Sequence, residues 1–347
     1  MARLKFGYVN CGVDPLSALE YGVLAENRGF DSLWLPDHFV DVNGDRLDPW
    51  TVLSAVAVKT KRMTLSSWVT DTQRSHPART AQVVACLDVI SHGRAILGIG
   101  AGEAMNIVPF GLPWELPRQR VARLAEAIQV IRALWASSRE KPVTFSGQFY
   151  QLENAFLSQP PKQKPSPPIY VGALSSKMAL QVVGQLGDGW LSWFNTADTF
   201  KKRWSIVKEA AESAGRSQRQ IEPVSGIMVA FPRNARERKL ALLSGKMTLL
   251  MEKTVLASLG QTPDLQLQHY QNLLVSKAKV QEIIDAAEAV PDDIVFRTMA
   301  IGGRDEVKER TEQLARAGVR HFTIVDLLAP KTVRGTLKTF SKIVNIK

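Results

Sequence analysis

Eight short apolar runs alternate with amphipathic stretches along the 347 residues, and this alternation predicts an α/β protein closed as a (β/α)8 TIM barrel. The runs are rich in β-branched and aromatic residues and are nearly continuous, as strands covered on both faces are. Composition agrees: 45% hydrophobic and 22% charged, with 23 Gly and 18 Pro, is a globular chain with a large core. The length suits one barrel domain spanning 1–347.

The strand candidates are 5–9, 32–35, 64–68, 95–99, 169–173, 190–192, 224–231 and 321–325. Between them apolar residues recur at helical spacing over 17–28, 78–90, 118–135, 179–185, 200–214 and 306–317. Gly29 and Gly318 follow two of these helices where a C-terminal cap belongs. Helix hands over to strand in similar style in AENRGFDSLWL and ARAGVRHFTIV, which reads as one module reused. Two insertions interrupt the pattern. Segment 141–168 holds a small hairpin around Gly147 and then a proline-stiffened connection. Segment 234–291 is a Leu-rich helical insertion before the last βα units, placed to cover the barrel mouth or to build a subunit contact.

Several function classes are set aside at this level. Cys11 and Cys86 are too few for a disulfide framework, so a cytoplasmic setting is expected. The start MARLKFGYVNCG lacks a signal-peptide layout, and no apolar stretch approaches the about 18 residues a membrane span needs. The net charge of +11 is spread over solvated faces such as Lys201, Lys202 and Arg203. It is read as solubility charge, or as a match to an anionic small molecule, rather than as a nucleic-acid surface. No HExxH, CxxC or clustered carboxylates point to a metal, and no GxSxG elbow is present.

In such a barrel the chemistry lies where strands exit into βα loops. The second strand exits into Pro36-Asp37-His38-Phe39, the third into Ser67-Trp68-Val69-Thr70-Asp71, the fourth into Gly100-Ala101-Gly102-Glu103 and the fifth into Leu174-Ser175-Ser176-Lys177. His38 and Glu103 are the acid/base candidates, since imidazole titrates near neutrality and a carboxyl in an apolar pocket can be tuned upward. The bland alternatives are a structural histidine and a charge favouring a helix N-terminus. Asp37 cannot share the direction of its neighbour His38. Gly98, Gly100 and Gly102 do not complete a dinucleotide fingerprint. They fit either a tight turn or close approach of the backbone to a flat ring. Leu174 to Lys177 fits a phosphate cradle or an ordinary Ser N-cap. His76 reads as structural, and His92, His269 and His321 have no partner at ligand spacing.

The order PDHF, WVTDTQRSHPARTAQ, GRAILGIGAGEAMN, YVGALSSKMA and GDGW resembles the luciferase-like superfamily nearly end to end. Within it the resemblance favours the branch that uses the deazaflavin coenzyme F420, which includes sugar-phosphate and secondary alcohol dehydrogenases. The resemblance implies a hydride transfer between deazaflavin C5 and a small organic substrate such as an alcohol or carbonyl, in a homodimer. It makes His38 the acid/base beside ring and substrate oxygen, and Glu103 its partner. Asp37, Thr70, Ala101, Gly102 and Asn106 would line the ring and its chain. Leu174, Ser175, Lys177 and Met178 would surround the phosphate. A non-prolyl cis bond at Ser67–Trp68 would support the ring. Two departures stand out: Val42 falls where those dehydrogenases carry a tryptophan, and Asn195 where a lysine holds the sugar phosphate. An FMN-dependent monooxygenase of the same superfamily is the alternative. A non-enzymatic deazaflavin carrier or nucleic-acid-associated protein is suggested by charge alone.

Overall fold

The computed structural model describes residues 3–11, 14–42, 44–45, 47–261 and 272–344. Eight parallel strands form the barrel: β1 (Lys5–Val9), β2 (Ser32–Leu35), β3 (Thr64–Ser67), β4 (Ala95–Gly100), β5 (Ile169–Gly172), β6 (Gly189–Ser192), β7 (Glu222–Ala230) and β8 (His321–Asp326). Each pairs with the next, and β8 returns to β1 in the register Lys5↔His321 to Tyr8↔Ile324, which closes the sheet. The predicted (β/α)8 architecture is therefore the observed one. The TIM-barrel topology places every strand exit on one face.

The helices are α1 (Pro15–Asn27), α2 (Pro49–Lys59), α3 (Pro77–Ile90), α4 (Pro117–Trp135), α5 (Lys177–Leu186), α6 (Ala197–Ser213), α7 (Ala235–Met251), α8 (Lys253–Ser258), α9 (Lys277–Ala286), α10 (Asp292–Thr298), α11 (Arg304–Ala317) and α12 (Val333–Ile343). The first four begin with proline, whose missing N–H costs nothing there. Asp14 caps α1 by accepting from Ser17 N at 2.8 Å, and Asp48 caps α2 by accepting from Thr51 N at 2.8 Å. Sequence periodicity does not anticipate α2 or α12. Yet α2 buries Val52, Leu53 and Val56 against the sheet, and α12 buries Val333, Leu337 and Phe340 at helical spacing.

One core lies between sheet and helices, and a smaller one fills the barrel with Val9, Trp34, Trp68, Ile96, Tyr170, Leu191 and Val224. The expected hairpin is present as Val143–Ser146 paired with Gln151–Ala155. The helical insertion builds a third cluster from Leu249, Leu250, Val255, Leu256 and Ile283 with Met105, Val42 and Phe194 from the strand exits. It thus covers part of the barrel mouth, the first of the two roles the sequence offers. Among the described residues no helix is long and apolar enough to cross a membrane.

The cis bond expected at Ser67–Trp68 is instead at Trp68–Val69. Trp68 N still donates to Leu35 O at 2.7 Å, so the ladder reaches Trp68, the last residue of the expected strand, and the cis bond follows it. Across this bond the chain takes four steps from Ser66 to Thr70, which rejoins β4 in the short strand Thr70–Asp71, while β4 takes three from Ile96 to Ile99, a one-residue bulge.

Candidate active site

The chain leaving β2 carries His38 and then folds back through a short antiparallel pair, Val40–Asp41 with Gly44–Asp45. That return brings Asp41 Oδ2 to 3.2 Å from His38 Nδ1. From β4, Glu103 Oε2 approaches His38 Nε2 to 3.1 Å. The His38 side chain is 10% exposed and that of Glu103 26%, so the pair sits at the wall of the mouth with one edge open. Burial pushes the Glu103 carboxyl upward, Asp41 and Asp71 add to this, and His38 pulls against it. An imidazole with a carboxyl oxygen at each nitrogen cannot donate to both while neutral. Both contacts are satisfied together only when the His38, Asp41 and Glu103 group binds one proton more than a neutral imidazole and two carboxylates.

Asn106 is buried and supports this arrangement. Its Oδ1 accepts from Phe39 N at 2.7 Å and Val40 N at 3.0 Å, and its Nδ2 lies 3.5 Å from Glu103 Oε2. Its carbonyl oxygen is thus committed to the His38 loop. Asp37 turns away from His38, as adjacency requires. It accepts from Thr70 Oγ1 at 2.6 Å and from Arg74 Nη2 at 2.9 Å. Arg74 also pairs with Asp71, and its guanidinium lies 4.7 Å from the centroid of the Phe39 ring.

The remaining predicted residues divide. Ser67 is fully buried and donates to Gly98 O at 2.8 Å, so its hydroxyl belongs to the ladder. Trp68 stands edge-on to Trp34 and to Trp193, at 5.1 Å from each. The alternating glycines are explained by the bulge: a Cβ at Gly98 would meet Ser67 O at 2.0 Å, and one at Gly100 would meet Val69 Cγ2 at 2.6 Å. Gly102, half-buried beside Ala101, has φ +81 and leaves room for the Gln73 amide. Ser176 caps α5 by accepting from Ala179 N at 3.4 Å, as an ordinary N-cap does. Next to it Ser175 Oγ donates to Thr254 Oγ1 at 3.0 Å, while Lys177 and Met178 are exposed in the first helical turn and Leu174 is partly buried.

Sequence reasoning missed Asp41, Arg74, Trp193 and Glu252. Asp41 had a local signal, three residues after His38, but its return depends on the short strand pair. Glu252 had none, because it arrives from the insertion. Its carboxyl is buried and raised to about 8 by that burial first, then by Glu103, against Arg203. Of the other histidines, His76 caps α3 by accepting from Ala78 N at 3.2 Å, and His321 is buried with Nε2 at 2.7 Å from Ser32 Oγ. His269 lies outside the described residues. No grouping of three or more His, Cys, Asp or Glu suited to a metal occurs among the described residues.

Residues 8–321 match the profile of the luciferase-like monooxygenase family. The chain is 35% identical over 238 residues to an F420-dependent glucose-6-phosphate dehydrogenase of Microbacterium testaceum, covering 66% of this chain and 68% of that one. It is 29% identical over 358 residues to a phthiodiolone/phenolphthiodiolone dimycocerosates ketoreductase of Mycobacterium tuberculosis, covering 94% and 93%. Among solved structures, an F420-dependent secondary alcohol dehydrogenase in complex with an F420-acetone adduct superposes with a TM-score of 0.84 at 25% identity over 100% of both chains.

Proposed function

The chain belongs to the luciferase-like monooxygenase family, and on that premise we propose that it is an F420-dependent oxidoreductase acting on a carbonyl or alcohol carbon. The observation that carries this reading is the contact between His38 and Glu103 at the barrel mouth, with Nε2 and Oε2 3.1 Å apart. Hydride transfer to or from such a carbon must be matched by a proton on its oxygen. The pair supplies one group that gives the proton in one direction and takes it in the other.

The mouth fits a flat ring with an anionic tail. Gly102 presents backbone without a side chain, and half-exposed Val69 and Ala101 offer an apolar face beside it. Thr72 Oγ1 and both amide atoms of Gln73 are buried there without a protein partner. The first turn of α5, with Lys177, offers N–H groups and a cation suited to a phosphate. When bound, the deazaflavin would supply the hydride donor or acceptor. His38 Nε2 would hold or release the proton at the substrate oxygen. Glu103 would accept it from Nε2 or return it. Asp41 would orient the ring through Nδ1, and Asn106 would keep the His38 loop in register. The relatives' use of F420 supports this assignment of cofactor.

The test is a pair of titrations at moderate salt, one with F420 and one with FMN, read by flavin fluorescence. Tighter binding of F420 is expected. Tighter FMN binding without F420 binding would replace the proposal with an FMN-dependent monooxygenase.

A further inference from the structure

We propose that Trp193 is the substrate-recognising wall of this site and that the buried Arg203 and Arg310 are positioning residues for it, which suits an uncharged substrate with an apolar chain. The inference rests on the reading of the mouth as a carbonyl or alcohol site. It begins one residue beyond β6. Trp34, Trp68 and Trp190 are buried, whereas Trp193 keeps part of its surface open. Its ring lies 5.1 Å from that of Trp68 at 84°, so it borders the β3 exit where Val69 and Thr70 line the proposed ring site. On one face a Cβ at Gly226 would meet the indole at 2.7 Å, so the ring lies flat on the β7 backbone. Leu174, Met228 and Val40, from three other strands or their exits, are likewise partly open apolar side chains and pack, as Trp193 does, against one apolar cluster.

The backbone that presents Trp193 is unusual. Phe194 has φ +51, which costs a non-glycine residue energy unless its surroundings fix it. The fixing groups are buried, including Arg203, which the sequence places on a solvated face with Lys201 and Lys202. Arg203 Nη1 donates to Asn195 Oδ1 at 2.9 Å and reaches Trp193 O at 3.4 Å. Arg310 Nη2 donates to Asn195 O. Asn195 Nδ2 donates to Ser192 Oγ at 2.9 Å and Ser225 Oγ at 3.0 Å, tying the loop to β6 and β7. Burying two guanidiniums is costly unless their N–H groups are used, and here they hold one loop. Each guanidinium thus spends part of its fork on this loop, while Arg203 Nη2 and Arg310 Nε are buried without a protein partner. The partly open side chains of the wall are indole and aliphatic, and such a surface recognises an apolar chain rather than phosphate or carboxylate.

The test uses the protein loaded with whichever flavin the titrations identify. Dissociation constants are measured for straight-chain methyl ketones from acetone upward, and for the keto acid of matched length. Wild type should bind about threefold more tightly per added methylene over the first few carbons, and the keto acid should bind at least about tenfold more weakly than the matched ketone. Trp193→Ala should flatten the chain-length dependence while cofactor affinity changes less than about threefold. Arg203→Ala should flatten it too, and Arg203→Lys should restore part of it. A role confined to stability would lower Tm and leave the slope intact. An unchanged slope in Trp193→Ala, a preference for the keto acid, or no ketone binding by wild type would each overturn the proposal. Failure of F420 to bind overturns the cofactor assignment instead, and the slope is read independently of it.

Discussion

At His38, Asp41 Oδ2 lies 3.2 Å from Nδ1 and Glu103 Oε2 3.1 Å from Nε2, so the ring's protonation is tied to both carboxyls. His38→Ala is expected to bind cofactor and keep its fold while turnover falls by about 10²–10⁴-fold, the usual worth of a positioned acid/base. Single-turnover hydride transfer at the wild-type rate would return His38 to a structural role. Glu103→Gln separates chemistry from stability. Burial first, then neighbouring carboxyls, raise the folded-state pKa of Glu103 above that of the unfolded chain. The folded state then holds this proton more tightly. Stability from this group is full below the unfolded pKa and declines as pH rises through the folded one. Removing the charge should leave Glu103→Gln at least as stable as wild type at pH 7, with lower turnover and one limb missing from its pH profile. A lower Tm at neutral pH together with full turnover would show that Glu103 serves the fold and not the proton.

Among the elements, how far a feature can be read from sequence depends on how local its physics is. All eight barrel strands were legible because a strand covered on both faces is a short apolar run wherever it occurs. His38 and Glu103 were legible because strand exits share one face. Helix α2 was not, although Asp48 and Pro49 announce its start, because its apolar residues give it little contrast between faces. The cis bond falls one residue later than expected, after the bond from Trp68 N to Leu35 O on β2, a partner that only the register between strands reveals. Asp41 and Glu252 meet the site through a strand pair and the junction of two inserted helices, contacts that no spacing encodes. Packing between helices is equally non-local. Gly184 in α5 lies so close to α6 that a Cβ there would meet Val207 O at 2.4 Å and Ala210 Cβ at 2.7 Å. Gly184→Ala should therefore destabilise despite alanine's better helix propensity, by about 1–3 kcal/mol, since overpacking outweighs the propensity gain. Equilibrium urea denaturation would measure it, and a gain in stability would show that the two helices can separate freely.

Across the whole molecule the barrel has two polar ends with different tasks. Its C-terminal mouth carries the His38–Glu103 contact; its N-terminal floor is a polar network. Glu222 at the start of β7 bonds Tyr170 of β5, pairs with Lys5 of β1 at 2.8 Å and lies 3.8 Å from His321 Nδ1 of β8. His321 Nε2 is 2.7 Å from Ser32 Oγ on β2, which accepts from Trp34 Nε1 at 2.6 Å. Five strands are thus joined beneath the apolar filling. Burial alone would push the Glu222 carboxyl up, but His321, then Lys5 and Tyr170, outweigh it and hold it down at about 2, against 4.5 in the unfolded chain. A carboxyl whose folded pKa is depressed stabilises the fold above the unfolded value, and that contribution disappears as pH falls from there toward the folded one. The window is pH 4.5 down to about 2. The contribution is at most about 3 kcal/mol, reduced by the partial exposure of the carboxylate. Urea denaturation across this range should show wild-type stability falling with acid. Glu222→Gln should be less stable at pH 6 and show a shallower fall, so that the two curves converge near pH 2. Parallel curves would mean that the floor is held by packing around Trp34 and Tyr170, with Glu222 contributing no pH-dependent share.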